Sequence, residues 1–212
     1  MSFAVIASGQ GNHTTDMLDF AMGHAAGQQV INEFSETFGW DLAAVSRQGH
    51  DGRNALAQPL TVATALANWH VLASRLPAPV CFAGYSAGEI AAWACAGTWD
   101  VRAAAQVCLQ RTSLMDAYAP ADCGMLAVRG LPLAAIEQAA AGVELAIVNE
   151  DDHAVLGGAL VALRQCEQAL LAQGAWTRLL DVSVPSHTSL MTKAADAFSA
   201  WLQSQAGTRP SA

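Results

Sequence analysis

The stretch Val80-Cys81-Phe82-Ala83-Gly84-Tyr85-Ser86-Ala87-Gly88-Glu89 joins a short apolar run to an alanine-rich helical segment through a Gly-x-Ser-x-Gly pentad. It constrains the chain more than any other stretch. A serine on a sharp strand-to-helix turn needs a strand before it, a helix after it and no Cβ where the two pass, and Gly84 and Gly88 meet the last condition. The pentad therefore reads as a nucleophile elbow. Ser86 projects its hydroxyl from the turn, and the first N–H groups of the helix, Ala87 included, point to where an oxyanion would form. The bare pattern also occurs by chance, so the flanking strand and helix carry the catalytic reading.

The rest of the chain supplies the layers that such an elbow requires. Phe3-Ala4-Val5-Ile6-Ala7 reads as a buried parallel strand delivering the polar loop Ser8-Gly9-Gln10-Gly11-Asn12, whose glycines let backbone approach a ligand. Helical spacing over 15–38, broken at Gly23 and Gly27, predicts one or two amphipathic helices. The polar segment 41–57 reads as a surface loop or short helices. Pro59 suits the first turn of a buried helix over 60–76, which Pro77 and Pro79 end. After the elbow a helix runs to about Ala96 and stops at Gly97, and Asp100 caps a further helix that contains Arg111 and ends near Tyr118.

Beyond Pro120 the pattern becomes strand 124–129, helix 133–141, strand 143–149, strand 153–158, helix 160–173 and strand 176–184. This is the β-α-β-β-α-β order of a ferredoxin-like unit. The predicted fold is thus α/β, with an α/β-hydrolase-like parallel-sheet core (1–121 and 184–212) and an inserted ferredoxin-like small subdomain (122–183). His187 follows in Val184-Pro185-Ser186-His187, before a helix over 192–203. Among the six histidines it alone falls at a strand-to-helix junction like that of Ser86. His13 could line the first loop, and His24, His50, His70 and His153 stay unassigned. Two such junctions at one edge of a parallel sheet would bring His187 to Ser86.

Composition narrows the function classes. With 212 residues, 53% of them hydrophobic, the chain can bury a sizeable core. A net charge of -8 with ten basic residues argues against nucleic acid or an anionic membrane as the main partner. No apolar run approaches a membrane span and no basic n-region opens the chain, so the expected location is the cytoplasm. Five widely spaced cysteines without a Cys-x-x-Cys predict reduced, buried thiols and no metal site.

Gly9-Gln10-Gly11, Gly84-Tyr85-Ser86-Ala87-Gly88-Glu89, Arg111 within Gln110-Arg111-Thr112-Ser113-Leu114-Met115, and Val184-Pro185-Ser186-His187 together resemble the malonyl-CoA:acyl-carrier-protein transacylases, the acyltransferase domains of fatty-acid and polyketide synthesis. In detail, Ala7-Ser8-Gly9-Gln10-Gly11 and the run from Ala83 to Trp93 look closest to the epsilon subunit of malonate decarboxylase. The resemblance implies Ser86 as nucleophile and His187 as general base, with the backbone N–H groups of Gln10 and Ala87 as oxyanion hole. It implies Arg111 as the partner of the malonyl carboxylate, and Gly9, Gly11, Tyr85 and Asn149 as further substrate contacts. No bound cofactor is implied: malonyl-CoA is the acyl donor, and an acyl carrier protein brings the accepting phosphopantetheine. Other subunits of a synthase or decarboxylase would be further partners.

Two departures from the family pattern stand out. Tyr85 takes the place of the usual histidine before the nucleophile. The chain also stops soon after the His187 helix, where relatives continue with elements that supply a carbonyl for the histidine and a wall of the pocket. Two other classes stay open. A serine esterase or thioesterase would need an acidic triad member and no Arg111. A shortened transacylase could act only as a binding module.

Overall fold

A computed structural model of the chain describes residues 2–11, 13–49 and 52–205, so Asn12 and His50 lie outside the described residues. The chain divides into two compact units, one of Met1–Asp51, Ala55–Ser113 and Trp201–Ala212, the other of Gly52–Asn54 and Leu114–Ala200. The fold is mixed α/β, with a parallel sheet in the first unit and an antiparallel sheet in the second.

In the first unit β1 (Ala4–Ala7) and β2 (Cys81–Gly84) pair in parallel, with Ala7 opposite Gly84. Parallel register sends both strands out at the same edge, so the loop after β1 and the turn after β2 emerge side by side. The expectation that β1 is buried does not hold. Among the described residues this sheet has two strands, and open edges leave Ile6 76% exposed and Val80 69% exposed.

Helices α1 (Asp19–Met22) and α2 (Ala25–Phe38) are separated at Gly23. Gly27 does not break the pattern as predicted. It lies inside α2, where an added Cβ would come 2.3 Å from the Ala21 carbonyl oxygen, so it marks the close approach of α1 and α2. The Asp41 carboxylate accepts from the Ala44 N–H and opens α3 (Leu42–Gln48) within the segment read as loop or short helices.

Helix α4 (Asn54–Leu72) begins before Pro59, which lies inside the helix and not in its first turn. An interior proline costs about 3 kcal/mol. Leu60, Val62, Ala63, Leu66 and Ala67 are all at most 1% exposed, and each large apolar side chain so buried contributes about 1.5–3 kcal/mol. Burial outweighs the lost hydrogen bond. Helix α5 (Gly88–Cys95) follows the elbow, Gly97 at φ 84 turns the chain away, and the Asp100 carboxylate accepts from Ala103 to start α6 (Val101–Tyr118).

The second unit runs β3 (Cys123–Arg129), α7 (Leu133–Ala139), β4 (Glu144–Glu150), β5 (His153–Ala159), α8 (Leu160–Ala172) and β6 (Trp176–Leu179). Its sheet has the order β4-β5-β3-β6 with every neighbouring pair antiparallel. Leu126, Val128, Ile136, Leu156, Leu163 and Leu170 fill the space between sheet and helices. The predicted strand over 176–184 is shorter than read. After Leu179 the chain leaves the ladder, and Val184, which continued the apolar alternation, is buried with Met115, Met191 and Ala194 in a separate cluster. A short 3₁₀ turn (Ser189–Met191) then leads into α9 (Thr192–Ser204).

All five cysteines are free. Cys108, Cys123 and Cys166 are buried as predicted, whereas Cys81 is exposed on the open strand β2 and Cys95 is half-buried. Among the described residues no helix is long and apolar enough to cross a membrane, and no three His, Cys, Asp or Glu side chains are grouped to hold a metal ion.

Candidate active site

The strand-to-helix turn is built as its glycines require. A Cβ on Gly84 would lie 2.4 Å from backbone atoms of Glu89, and one on Gly88 would lie 2.4 Å from the Ser8 carbonyl oxygen and 2.5 Å from that of Ala7. No side chain fits at either position. The same closeness sets the end of β1 against the N-terminus of α5, and the Tyr85 N–H donates to the Ala7 carbonyl at 3.0 Å. Ser86 sits at the tip with φ 52, in the left-handed region. Among the described non-glycine residues only Ser86, Asp122 and His187 have positive φ, so both residues predicted to carry the chemistry are in that set. Such backbone strain concentrates at functional sites.

The glycine loop completes this corner. Gly9 backs onto Tyr85, whose ring carbon Cδ1 would be 2.7 Å from a Cβ at position 9. Tyr85 is thereby seated on the loop and remains 46% exposed. Ala87, in the turn, is fully buried, and among the described residues the buried side-chain nitrogen of Gln10 has no acceptor. Gly11 adopts φ 135, a conformation that favours glycine.

Arg111 on α6 is drawn to the same unit by a residue that the sequence reading missed. Its guanidinium donates to Oε1 of Gln58, which is 1% exposed on α4. Gln58 is the only amide in the apolar run from Ala55 to Ala67, and that isolation is the signal that could have found it. Burial pushes the Arg111 pKa down, while the neighbouring Cys108 and Glu89 push it back up. The Cys108 thiol is itself pushed up to about 12 by burial and stays neutral. Glu89, in the first turn of α5, links Arg111 electrostatically to the elbow helix. Among the described residues no carboxylate lies within ion-pair distance of Arg111. A partly buried cation with no carboxylate in ion-pair contact is costly unless something else supplies the charge.

His13, just beyond the glycine loop, is structural in its contacts. Its Nε2 lies 3.1 Å from the Ala57 carbonyl and 2.9 Å from the Thr61 hydroxyl, which ties the loop to the helix that carries Gln58. A cavity of about 500 Å³ borders β1 and its loop, lined by Ser8, Gly9, His13, Thr61, Asn68 and Trp69 among others. Neither Ser86 nor Arg111 forms its wall, so it is not the place for an acyl group held between them.

The first unit thus brings together Gly9, Gln10, Gly11, Tyr85, Ser86, Ala87 and Arg111, and the second unit carries His187 and Asn149. His187 is not at the edge of a parallel sheet as predicted. It lies in the loop between β6, a strand of the antiparallel sheet, and the 3₁₀ turn that precedes α9, and it is exposed with φ 63. Asn149, near the exposed end of β4, has its side-chain amide nitrogen 3.3 Å from Nε2 of His153.

A family model for the acyl transferase domain matches residues 6–212. The chain is 34% identical over 207 residues to the malonyl CoA-acyl carrier protein transacylase of Escherichia coli (strain K12), covering 92% of this chain and 67% of the relative. It is 32% identical over 215 residues to the Haemophilus influenzae protein of the same description, covering 95% and 69%. Among solved structures it is similar to the malonyl-transacylase in a complex with its type II PKS acyl-carrier protein, with TM-score 0.86, 32% identity and coverage of 96% of this chain and 70% of that one. An acyl carrier protein S-malonyltransferase from Vibrio cholerae aligns with TM-score 0.81 and 33% identity, covering 96% and 71%.

Proposed function

The chain belongs to the acyl transferase domain family, and from that membership we propose that it moves a malonyl group from malonyl-CoA to the phosphopantetheine thiol of an acyl carrier protein through an ester on Ser86. The observation that carries this reading is Arg111: a partly buried cation, steadied by Gln58, coupled to the elbow helix through Glu89 and, among the described residues, with no carboxylate within ion-pair distance. A malonyl group brings that carboxylate, and the planar guanidinium can take it bidentately. A simple ester hydrolase has no use for such a group.

In the first half-reaction the Ser86 oxygen attacks the thioester carbonyl and His187 accepts its proton. The tetrahedral oxyanion is held by the backbone N–H groups of Gln10 and Ala87, and its collapse breaks the C–S bond, with the proton passing from His187 to the departing thiolate. In the second half the carrier thiol gives its proton to His187 and attacks the malonyl ester, and His187 returns a proton to the serine oxygen. Gly9 and Gly11 let backbone approach the acyl group, and Tyr85, seated on Gly9, forms the pocket floor. We read the parallel layer as α/β-hydrolase-like and the antiparallel unit as ferredoxin-like, the latter on its strand order and its two crossover helices.

The direct test is the intact mass after incubation with malonyl-CoA. A gain of one malonyl group, removed when holo acyl carrier protein is added, is the expected result. No adduct, or turnover to free malonate without carrier, would overturn the proposal. Gln58→Leu should lower kcat/KM for malonyl-CoA by roughly tenfold to a hundredfold, since a hydrogen bond to a charged group contributes about 1.5–3 kcal/mol. Acetyl-CoA, which does not engage Arg111, should be used as before. Equal losses with both donors would mean that Gln58 only supports the packing of α4.

A further inference from the structure

We propose that Glu144 is a positioning residue that holds the loop carrying His187 in its strained conformation. This rests on the reading of His187 as the general base.

His187 is a non-glycine residue at φ 63, a backbone state that persists only where the surroundings over-determine it. Its neighbours on the C-terminal side are gripped from the sheet. Two residues on, Ser189 donates its backbone N–H to Oε2 of Glu144 at 2.7 Å and its hydroxyl to Oε1 at 2.6 Å. Both carboxylate oxygens are thus engaged by one residue. Between Ser189 and His187, the Thr188 hydroxyl donates to the Pro185 carbonyl at 2.7 Å and closes the loop on itself. The Thr188 methyl packs on Gly157 so closely that a Cβ there would be 2.6 Å from it.

Glu144 and Gly157 face each other in the register of β4 and β5, so clamp and packing floor belong to one platform. Val184 and Met191, buried in their own cluster, flank the loop on its two sides. The Ser189 hydroxyl and N–H hold the Glu144 carboxyl below the usual carboxylate range. The clamp is therefore charged throughout the neutral range. Charge-assisted bonds of this length are the strong kind.

Glu144 also caps the start of the 3₁₀ turn that opens at Ser189, and a purely structural cap would look the same in a static picture. Kinetics separates the two roles. The full chain is mixed with malonyl-CoA and the rate of Ser86 acylation is followed by intact mass. Glu144→Ala should slow acylation at saturating malonyl-CoA by about tenfold or more, with the half-saturating concentration unchanged. Glu144→Gln should recover most of the rate, because Oε1 still accepts from the Ser189 N–H and the amide can donate to the Ser189 oxygen. Ser189→Ala, which removes one arm, should fall between.

Wild-type rates in Glu144→Ala, or a loss proportional only to its unfolded fraction, would overturn the inference while His187→Ala still abolished acylation. Acylation at full rate in His187→Ala would instead remove the base reading beneath it. Should Glu144→Ala fail to fold, Ser189→Ala decides the matter: an unchanged rate overturns the clamp and a slowed one supports it.

Discussion

Ser86→Ala is expected to accept no malonyl group at any concentration of malonyl-CoA. The substitution removes the only atom that the mechanism esterifies, and in enzymes whose nucleophile and base act as a unit such a loss lowers kcat by about 10⁶. Fold effects should not confuse the result. The left-handed backbone at Ser86 is set by Gly84 and Gly88, which the variant keeps, and alanine meets about the same steric penalty there as serine. Unchanged circular dichroism with no adduct is the expected pair of observations. The double variant Ser86→Ala with His187→Ala should be no worse than the single one, because the two contribute to one step. A malonyl adduct that persists in Ser86→Ala would show that another side chain is acylated, and the elbow would then be only a turn.

The elbow was legible because its requirement is steric and local. A Gly on either side of a serine, between an apolar run and an alanine-rich helix, predicts backbone packing too close for a side chain, and in the structure a Cβ added at either glycine would lie 2.4 Å from neighbouring backbone. The β-α-β-β-α-β order was legible for a similar reason, since each element carries its own periodicity. What failed depended on neighbours distant in sequence. Pro59 looked like a helix start because a local rule places proline there, but burial of the α4 face overrides that rule. Val184 looked like strand because its alternation with Val182 is that of a strand, although its burial comes from Met115, Met191 and Ala194. Gly27 looked like a break because its partner, the backbone of Ala21, is set by how α1 and α2 pack.

The site divides along the same line. Ser86, Ala87 and the glycine loop follow from local geometry, and Arg111 came from resemblance alone, because a mid-helix arginine is most often a surface residue. Gln58 was missed. Its isolation as the one amide in the apolar run from Ala55 to Ala67 was the available signal, but its partner, a guanidinium on another helix, is distant in sequence. The expectation that a parallel-sheet edge presents His187 failed because the strand before it belongs to the antiparallel sheet.

The selectivity of Arg111→Ala is the result that most sharply distinguishes malonyl transfer from a general acyl transfer or hydrolysis. The variant leaves the Ser86 elbow in place and removes the partner of a charge that must still leave water to enter the pocket. Breaking one side of a buried charge pair costs roughly 3–5 kcal/mol, so kcat/KM for malonyl-CoA should fall by several hundred-fold or more. Acetyl-CoA lacks that charge and should be used as well as before or better, which turns a malonyl-selective enzyme toward a neutral acyl group. Arg111→Lys should rescue malonyl transfer only in part, since a point charge replaces a fork that can bind both carboxylate oxygens. The partial burial of Arg111 and its bond to Gln58 also predict some loss of stability, which a melting curve measures separately from rate. If malonyl and acetyl transfer fell together in Arg111→Ala, the guanidinium would be a packing element joining α4 to α6, and the malonyl assignment would lose the observation on which it stands.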